Sequence, residues 1–276
     1  WYDEALTVTD ALQGAPGAMH AWGYQAIAWA SNLWGQPFTE VSMRWLPALA
    51  GYLVIPAAFW AFVPIAGSGR AGLVSLLLAA SSWQQYWSQN ARGYTMAELC
   101  TLIGVGCFWR GWLRGSGPWT LVGFGLVGVS AKFHPHGAVL AFAMALALVA
   151  YLVPFRRWRE HKAPLVWLAS GGAAVALWQI PSLIGAFQTY LRGGATGGLG
   201  SVANLVRSTA FFLTPTVAVA ALLGGLWVLR KRDRAGIFAL ITVVGTLGGV
   251  ALLATRGMVS AQYVFSLHPW FALLAV

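Results

Sequence analysis

Four short polar segments of this sequence carry side chains that could do chemistry. The chain opens on WYDEALTVTDAL, where Asp3 and Glu4 are adjacent carboxylates. The other three segments are YWSQNARGYTM, AKFHPHGA and RGMVSAQYVFSLHP. They supply the candidate amide, cationic, imidazole and phenol groups: Gln89, Arg92, Tyr94, Lys132, His134, Arg256 and Tyr263. Carboxylates combined with cations predict acid–base chemistry on an anionic substrate.

One reaction type suits this set of groups. A substrate linked through a phosphate needs cations that bind the phosphate and stabilise its charge as it leaves. It also needs a carboxylate that accepts a proton from the attacking hydroxyl. We therefore expect Asp3 or Glu4 to be the general base and Arg92 and Lys132 to bind the phosphate. Adjacent residues point about 100° apart on a helix, so only one of the two carboxylates can face a shared cavity squarely.

Each candidate also has a purely structural interpretation. Arg92 could extend to the lipid headgroups. His134 and His136 could be hydrogen-bonded interface residues, since their spacing around Pro135 matches no zinc-binding motif. Glu98 lies one helical turn after Tyr94 and is predicted to be a buried partner of Arg92 or Lys132. The functional interpretation is favoured because all these groups are predicted to lie on the same face of the membrane.

The composition indicates a membrane protein. Hydrophobic residues make up 58% of the 276 residues and charged residues 9%, and there are sixteen Trp. Soluble domains carry about 25% charged residues, and Trp concentrates at membrane interfaces. The net charge of +10 comes mainly from short loops between apolar runs. We therefore assign the positive charge to membrane topology and exclude nucleic acid as a partner.

The elements that must position these groups are predicted to be membrane helices. We expect an all-α, polytopic integral membrane bundle that forms one domain over 1–276, with interfacial helices in an outer loop over 1–40. The chain is expected to be truncated at both ends. A glycine-rich outer loop is predicted over 187–208. About nine spans are predicted, at 41–66, 71–87, 94–113, 118–132, 136–154, 164–186, 209–229, 235–255 and 263–276.

The loop charges predict the orientation of the bundle. Eleven of the seventeen Lys and Arg residues fall in one set of loops and six in the other. The positive-inside rule assigns the richer set to the cytoplasm. The candidate groups are then expected on the exterior or periplasmic face of a multi-pass protein in the plasma (inner) membrane.

The order of motifs resembles the GT-C membrane glycosyltransferases. The segments that carry the resemblance are WYDEA, a His20-to-Tyr24 segment, WSQNARGYTM, a histidine in a short loop, and Gln262-Tyr263 followed by Pro269. They are similar to motifs of the dolichyl-phosphate-mannose-protein mannosyltransferase-like and aminoarabinose transferase-like groups. This chain departs from those motifs in two places. Ala21-Trp22-Gly23 stands where many relatives have a proline-rich run. The motif at Gln262-Tyr263 lacks the arginine of the family pattern, so Arg256 would have to take the place of that arginine.

The resemblance implies roles for the candidates. It implies a polyprenyl-phosphate sugar donor and a lipid, glycan or protein acceptor, with membrane lipids around the site. The essential acidic residue of the family corresponds to Asp3, its arginine to Arg92 and its loop histidine to His134. His134 and Gln89 are expected to support the phosphate ligands. The sugar and acceptor pocket is expected to contain His20, Tyr24, Tyr94 and Tyr263.

Two other functions stay open from the sequence. The same cations could line the pathway of a transporter or flippase for a lipid-linked anion, although no convincing internal repeat favours it. The second alternative function is that of a non-catalytic subunit of a membrane complex. Whether the protein needs a metal is unknown from the sequence. One carboxylate and a histidine could hold a divalent cation, but the sequence does not require one.

Overall fold

Helices form every regular element in the described part of the chain. The computed structural model describes residues 21–134, 136–152, 161–192, 199–255 and 261–276. The α-helices are α1 (Ala21–Ser31), α2 (Glu40–Ala80), α3 (Ser82–Ser88), α4 (Tyr94–Leu113), α5 (Gly117–Val129), α6 (His136–Leu152), α7 (Lys162–Arg192), α8 (Leu199–Leu213), α9 (Pro215–Lys231), α10 (Arg234–Ala254) and α11 (His268–Ala275). The 3-10 segments within the described ranges are η1 (Ser130–Lys132) and η2 (Ala261–Leu267). These elements agree with the all-α prediction.

Helix α2 consists of two antiparallel segments joined at Gly67. Gly67 has φ 79° and ψ 165°, a backbone conformation that glycine adopts at little steric cost. The Ser75 hydroxyl donates to the Ile55 carbonyl at 3.0 Å. In a straight helix these two residues would lie about 30 Å apart, so the chain reverses between them. The reversal falls between the predicted runs 41–66 and 71–87.

The second predicted run is interrupted at Ser81. Its backbone is extended, and its hydroxyl accepts hydrogen bonds from the amides of Trp83 and Gln84 at 3.2 and 3.4 Å. A serine that caps the next helix in this way ends the previous one. The prediction of one continuous helix over 71–87 is therefore wrong. The short helix α3, which follows Ser81, contacts α4.

Small residues let the central helices pack closely. A Cβ added to Gly104 would lie 2.7 Å from the Gly123 carbonyl oxygen, and one added to Gly111 would lie 2.4 Å from the Thr120 amide nitrogen. The backbones of α4 and α5 are thus in direct contact, which glycine permits in apolar helix pairs. Large aromatic side chains fill the remaining core, among them Trp112 and Phe108.

The predicted run 209–229 is two helices rather than one. Helices α8 and α9 meet at Thr214 with a bend of 101°. Pro215 begins α9, and Thr214 has φ 62° and ψ 147°. A proline disfavours the helical conformation in the residue before it, so the first helix ends there. The predicted bounds of the outer loop, 187–208, are also wrong, since α7 continues to Arg192 and α8 begins at Leu199; residues 193–198 lie outside the described ranges.

Two described helices are long and apolar enough to cross a membrane. They are Glu40–Ala80, in which the chain reverses at Gly67, and Ala235–Ala254; the bent pair α8–α9 makes a third if it counts as one span. The nine predicted spans are therefore not confirmed as crossings. The predicted runs 94–113, 118–132 and 136–154 correspond to α4, α5 and α6, which are shorter or more polar, whereas the run 164–186 lies in the long helix α7, several of whose side chains are outside the described part of the chain. The last predicted run, 263–276, starts as the 3-10 segment η2 before α11.

Helix α1 has a buried face and an exposed aromatic face. Tyr24, Ile27 and Ala30 are buried, whereas Trp22 and Trp29 are 39% and 64% exposed. The Trp45 indole on α2 donates to the Ala30 carbonyl at 3.1 Å and anchors the helix. Exposed tryptophans are typical of the membrane interface, and the interfacial position of α1 stays a prediction.

Candidate functional site

Three segments that are distant in sequence meet at Gly93. A Cβ added to Gly93 would lie 2.7 Å from the Phe133 carbonyl oxygen and 3.4 Å from the Gly23 Cα. Gly93 precedes α4, Gly23 lies on α1, and Phe133 follows η1. The lack of a side chain at Gly93 and Gly23 therefore brings two of the four polar segments into direct contact with each other and with the His20-to-Tyr24 segment. We call the polar and aromatic groups around this crossing the Gly93 cluster, which comprises Tyr24, Trp87, Arg92, Tyr94, Lys132, His134, His136 and Tyr263.

Arg92 is buried and held by α1. Its side chain is 9% exposed, and its Nη1 donates to the Tyr24 hydroxyl at 2.6 Å. The guanidinium carbon lies 5.7 Å from the centre of the Tyr24 ring. A short hydrogen bond to the cation fixes the direction of the guanidinium. The simple interpretation of Arg92 as a residue extending to the headgroups does not fit this burial.

A column of rings runs through the cluster. The ring of Tyr94 lies 4.4 Å from that of Trp87 on α3 and 4.6 Å from that of His134. The His134 ring lies 5.3 Å from that of Tyr263 on η2. The structure thus brings together three residues that were predicted from separate segments, namely Tyr94, His134 and Tyr263. Trp87 joins them, and its role was not recognised in the sequence.

The two histidines of the HPH motif contact each other. The Nδ1 atoms of His134 and His136 are hydrogen-bonded, and the His136 amide approaches His134 Nδ1 at 3.4 Å. Both side chains are 2% exposed. One ring must donate and the other accept, so the tautomers of the two imidazoles are linked. The sequence analysis predicted His134 but not His136 as a site residue. The spacing of two positions between the histidines was the signal that could have identified His136.

Lys132 lies on the other side of α1 from Arg92. Its Nζ lies 4.7 Å from the centre of the Trp178 ring on α7, and that ring lies 5.7 Å from Trp22. Trp22 and Tyr24 are two positions apart and so about 200° apart around α1. Arg92 is therefore on the Tyr24 side and Lys132 on the Trp22 side. Partial burial lowers the pKa of Lys132 below its usual range.

The remaining predicted residues are placed differently or lie outside the described ranges. Gln89 is exposed and forms the C-terminal cap of α3, at the rim of the cluster rather than inside it. The predicted residues outside the described ranges are Asp3, Glu4, His20 and Arg256.

Glu98 does not have the partner that the sequence predicted. Its side chain is fully buried, and neither carboxyl oxygen forms a hydrogen bond within the described part of the chain. It lies beside the Gln84 side chain on α3. The predicted pairing with Arg92 or Lys132 is therefore wrong, because Glu98 on α4 faces α3 rather than α1.

The described residues offer no ready metal centre. Within the described ranges, no three His, Cys, Asp or Glu side chains come together in a way that could hold a metal ion. What the cluster does contain is a buried guanidinium, a lysine, two linked imidazoles and several phenol or indole rings. Such groups can bind an anion and stack against a sugar ring or another flat apolar face.

Comparisons with known proteins bear on the fold. No protein-family model matches the chain, and no curated protein does. A crystal structure of ArnT from Cupriavidus metallidurans in the apo state matches with a TM-score of 0.66 at 16% sequence identity. The match covers 96% of this chain and 52% of the ArnT chain, so the chain spans about half of that protein's length. The chain therefore shares the fold of this ArnT region, a GT-C fold, as the sequence resemblance predicts.

Proposed function

We propose that the chain forms the catalytic membrane region of a glycosyltransferase. It would transfer a sugar from a polyprenyl-phosphate donor to a hydroxyl or amine of a lipid, glycan or protein, on the exterior face of the inner membrane. The observation that carries the proposal is the Gly93 cluster on a GT-C fold. There Arg92 is fixed by Tyr24 beside a column of rings that includes His134.

The proposed reaction is a single displacement at the anomeric carbon of the sugar. The acceptor oxygen or nitrogen forms a bond to this carbon, while the bond from the carbon to the phosphate oxygen breaks. The polyprenyl phosphate leaves with the bonding electrons as an anion. The acceptor proton passes to Asp3, with Glu4 as its assistant or substitute. No general acid is needed for the leaving group, because a phosphate leaves readily as an anion.

Residues of the Gly93 cluster, together with Arg256, are proposed to divide the remaining work. Arg92 binds the phosphate and stabilises the charge that develops on it. Lys132 adds a second cation from the opposite side of α1, and Arg256 is proposed as a third. Tyr24 acts as a positioning residue for Arg92, which revises its predicted place near the acceptor. The partly exposed Tyr263 offers its ring to the sugar, and the buried Tyr94 supports it from inside the column through His134.

Sugar transfer by the purified full-length protein tests this proposal. The protein in lipid nanodiscs is given a radiolabelled polyprenyl-phosphate sugar and a cell-envelope lipid extract as acceptor. We expect labelled product with the unchanged protein, and a loss of about a hundredfold or more in rate for Asp3→Asn and for Arg92→Gln. Arg207→Gln, which removes an exposed cation on α8, is the matched control and should retain the rate.

Two results would contradict the proposal. One is near-normal transfer by Asp3→Asn, which would remove the base assignment. The other is donor binding or movement across the bilayer without transfer, which a transporter or a non-catalytic subunit predicts.

A further inference from the structure

The two histidines that follow η1 are held by the backbone on either side of them. The amides of Phe133 and His134 both donate to the Ser130 carbonyl at 3.0 Å, and the Gly137 amide donates to the His134 carbonyl at 3.0 Å. A Cβ added to Gly137 would lie 2.1 Å from the Ser130 hydroxyl oxygen, so the chain approaches Ser130 closely at this point. The backbone that carries the two imidazoles is therefore fixed.

The backbone amide of His136 decides which of the two rings accepts. It donates to the His134 Nδ1 atom at 3.4 Å, and a backbone N–H can only donate. A ring nitrogen that accepts a hydrogen bond carries no hydrogen of its own. The hydrogen bond between the Nδ1 atoms of His134 and His136 therefore has its hydrogen on His136. The two contacts together give His136 the Nδ1–H form and leave His134 with a bare Nδ1.

The second nitrogen of the His134 ring is thereby a hydrogen-bond donor. A neutral imidazole carries one hydrogen, so a bare Nδ1 places that hydrogen on Nε2. The Nε2–H bond is directed away from His136, because the two nitrogens lie on different sides of the ring. The centre of the His134 ring lies 4.3 Å from that of His136, 4.6 Å from that of Tyr94 and 5.3 Å from that of Tyr263. Three neighbouring rings therefore hold the direction of this N–H donor.

A fixed neutral donor complements the cations of the Gly93 cluster. Arg92 supplies positive charge to a phosphate, whereas the Nε2–H of His134 supplies one directed hydrogen bond. An imidazole that is free to change its tautomer would present a bare Nε2 for part of the time, and a lone pair there repels a phosphate oxygen. A donor whose direction is set before the substrate binds needs no reorganisation during the reaction. The tautomer of His134 therefore decides whether this ring helps or opposes phosphate binding.

We propose that His136 is a positioning residue that fixes His134 as an Nε2–H donor to an oxygen of the substrate phosphate. This inference rests on the proposed function and adds to its site a residue that the sequence analysis did not include. His136 acts through His134 and makes no contact with the substrate itself. Its side chain supplies the Nδ1–H, and its backbone supplies the amide that sets the direction of the pair.

Solid-state NMR of the full-length protein in lipid nanodiscs tests the tautomers without any sugar transfer. In protein labelled with nitrogen-15 histidine, the chemical shift distinguishes a bare ring nitrogen from one that carries hydrogen. We expect the Nε2–H form for His134 and the Nδ1–H form for His136. In His136→Ala, His134 should show a mixture of both forms. His161→Ala removes a ring that stacks on Trp112 at the far end of α4 and should leave the His134 signals unchanged.

Added polyprenyl phosphate tests the contact with the substrate. It should shift the Nε2 signal of His134 in the unchanged protein and leave the His161 signals in place. An Nδ1–H form of His134, an unchanged His134 spectrum in His136→Ala, or no response to polyprenyl phosphate would overturn the proposal. These readouts do not depend on turnover, so failure of the proposal is distinguishable from failure of the proposed function.

Two substitutions of His136 separate its hydrogen bond from its packing. The amide N–H of asparagine can take the place of the Nδ1–H, whereas alanine offers no side-chain donor. Under the proposed function, we expect single-turnover transfer to fall about tenfold in His136→Ala, as for a weakened hydrogen bond to a charged group. His136→Asn should recover most of that loss and restore the Nε2–H form of His134. Equal losses in the two variants would show that His136 only fills space, and would overturn the proposal.

Discussion

At the scale of residues, the main feature is a buried arginine whose direction is set by a tyrosine. Arg92 lies almost wholly inside the protein and donates to the Tyr24 hydroxyl. A buried guanidinium is costly unless its donors are satisfied. The Arg92–Tyr24 hydrogen bond therefore makes the position of Arg92 depend on α1, a helix 68 residues earlier in the chain.

Tyr24→Phe should impair transfer without removing any charge. The substitution deletes the hydroxyl that Arg92 contacts, and a hydrogen bond to a charged group contributes about 2 kcal/mol. Under the proposed function, we expect single-turnover transfer to slow ~30-fold. Tyr52→Phe changes a tyrosine that is 70% exposed on α2 and should have no effect. An unchanged rate in Tyr24→Phe would show that Arg92 is positioned by other contacts.

The pKa of Lys132 predicts an alkaline limit to activity. Burial lowers this pKa below its usual range. Below the lowered pKa the ammonium is charged and can bind a phosphate, and above it the neutral amine cannot. We expect kcat/KM to fall at a lower pH than an ordinary lysine would give. In Lys132→Arg the fall should move to higher pH, because a guanidinium stays protonated. Identical pH profiles for the two proteins would exclude Lys132 as the titrating group.

At the scale of elements, the site depends on where helices end. Helix α4 begins immediately after Gly93, and η1 ends just before Phe133. Both ends meet α1 at Gly23. The candidate side chains therefore lie on helix ends and short connections, while the helix interiors supply the packing that holds them. This arrangement is common, since functional residues are concentrated on loops that a rigid scaffold positions.

Gly93→Ala should separate these elements. The new methyl group would lie 2.7 Å from the Phe133 carbonyl oxygen, and overpacking of this kind costs about 1–3 kcal/mol. We expect a lower Tm in detergent and reduced transfer. Gly72→Ala adds the same methyl group where nothing lies within 4 Å. It should be neutral or stabilise the helix by ~0.5–1 kcal/mol. Equal Tm values for both variants would contradict the close crossing at Gly93.

At the scale of the whole molecule, two ends of the bundle have different character. The Gly93 cluster lies at one end, and the Gly67 turn and the basic end of α9 lie at the other, where Arg70 contacts the Trp227 ring. The loop charges predict that the second end faces the cytoplasm. This assignment remains a prediction, and it determines from which side the proposed catalytic site receives its ligands.

Cysteine labelling of the intact protein in cells tests this orientation. Gln89→Cys places a thiol on an exposed position beside the cluster, and Arg114→Cys places one on the basic end. The native Cys100 and Cys107 are replaced by alanine as background. A membrane-impermeant maleimide should label position 89 in intact spheroplasts, and position 114 only after permeabilisation. The reverse pattern would place the proposed catalytic site in the cytoplasm.

Part of this structure could be predicted from local sequence patterns. Apolar runs rich in glycine and alanine predicted helices, and the break at Gly67 and the exposed tryptophans of α1 followed the same signals. The helix ends were less accurate. Ser81 caps a new helix inside a predicted run, and Pro215 divides another. These endings depend on the backbone of one residue, which the average hydropathy of a long window does not record.

The sequence by itself determined the helical class of the chain and the residue types that could bind a phosphate. Only the tertiary structure decided which of them meet. It joined Arg92 to Tyr24 and His134 to Tyr263, placed Lys132 on the other side of α1, and left Glu98 beside Gln84. Helical periodicity fixes which face of one helix a residue occupies. Which other helix covers that face depends on close backbone contacts such as those at Gly93 and Gly104, between residues far apart in the chain.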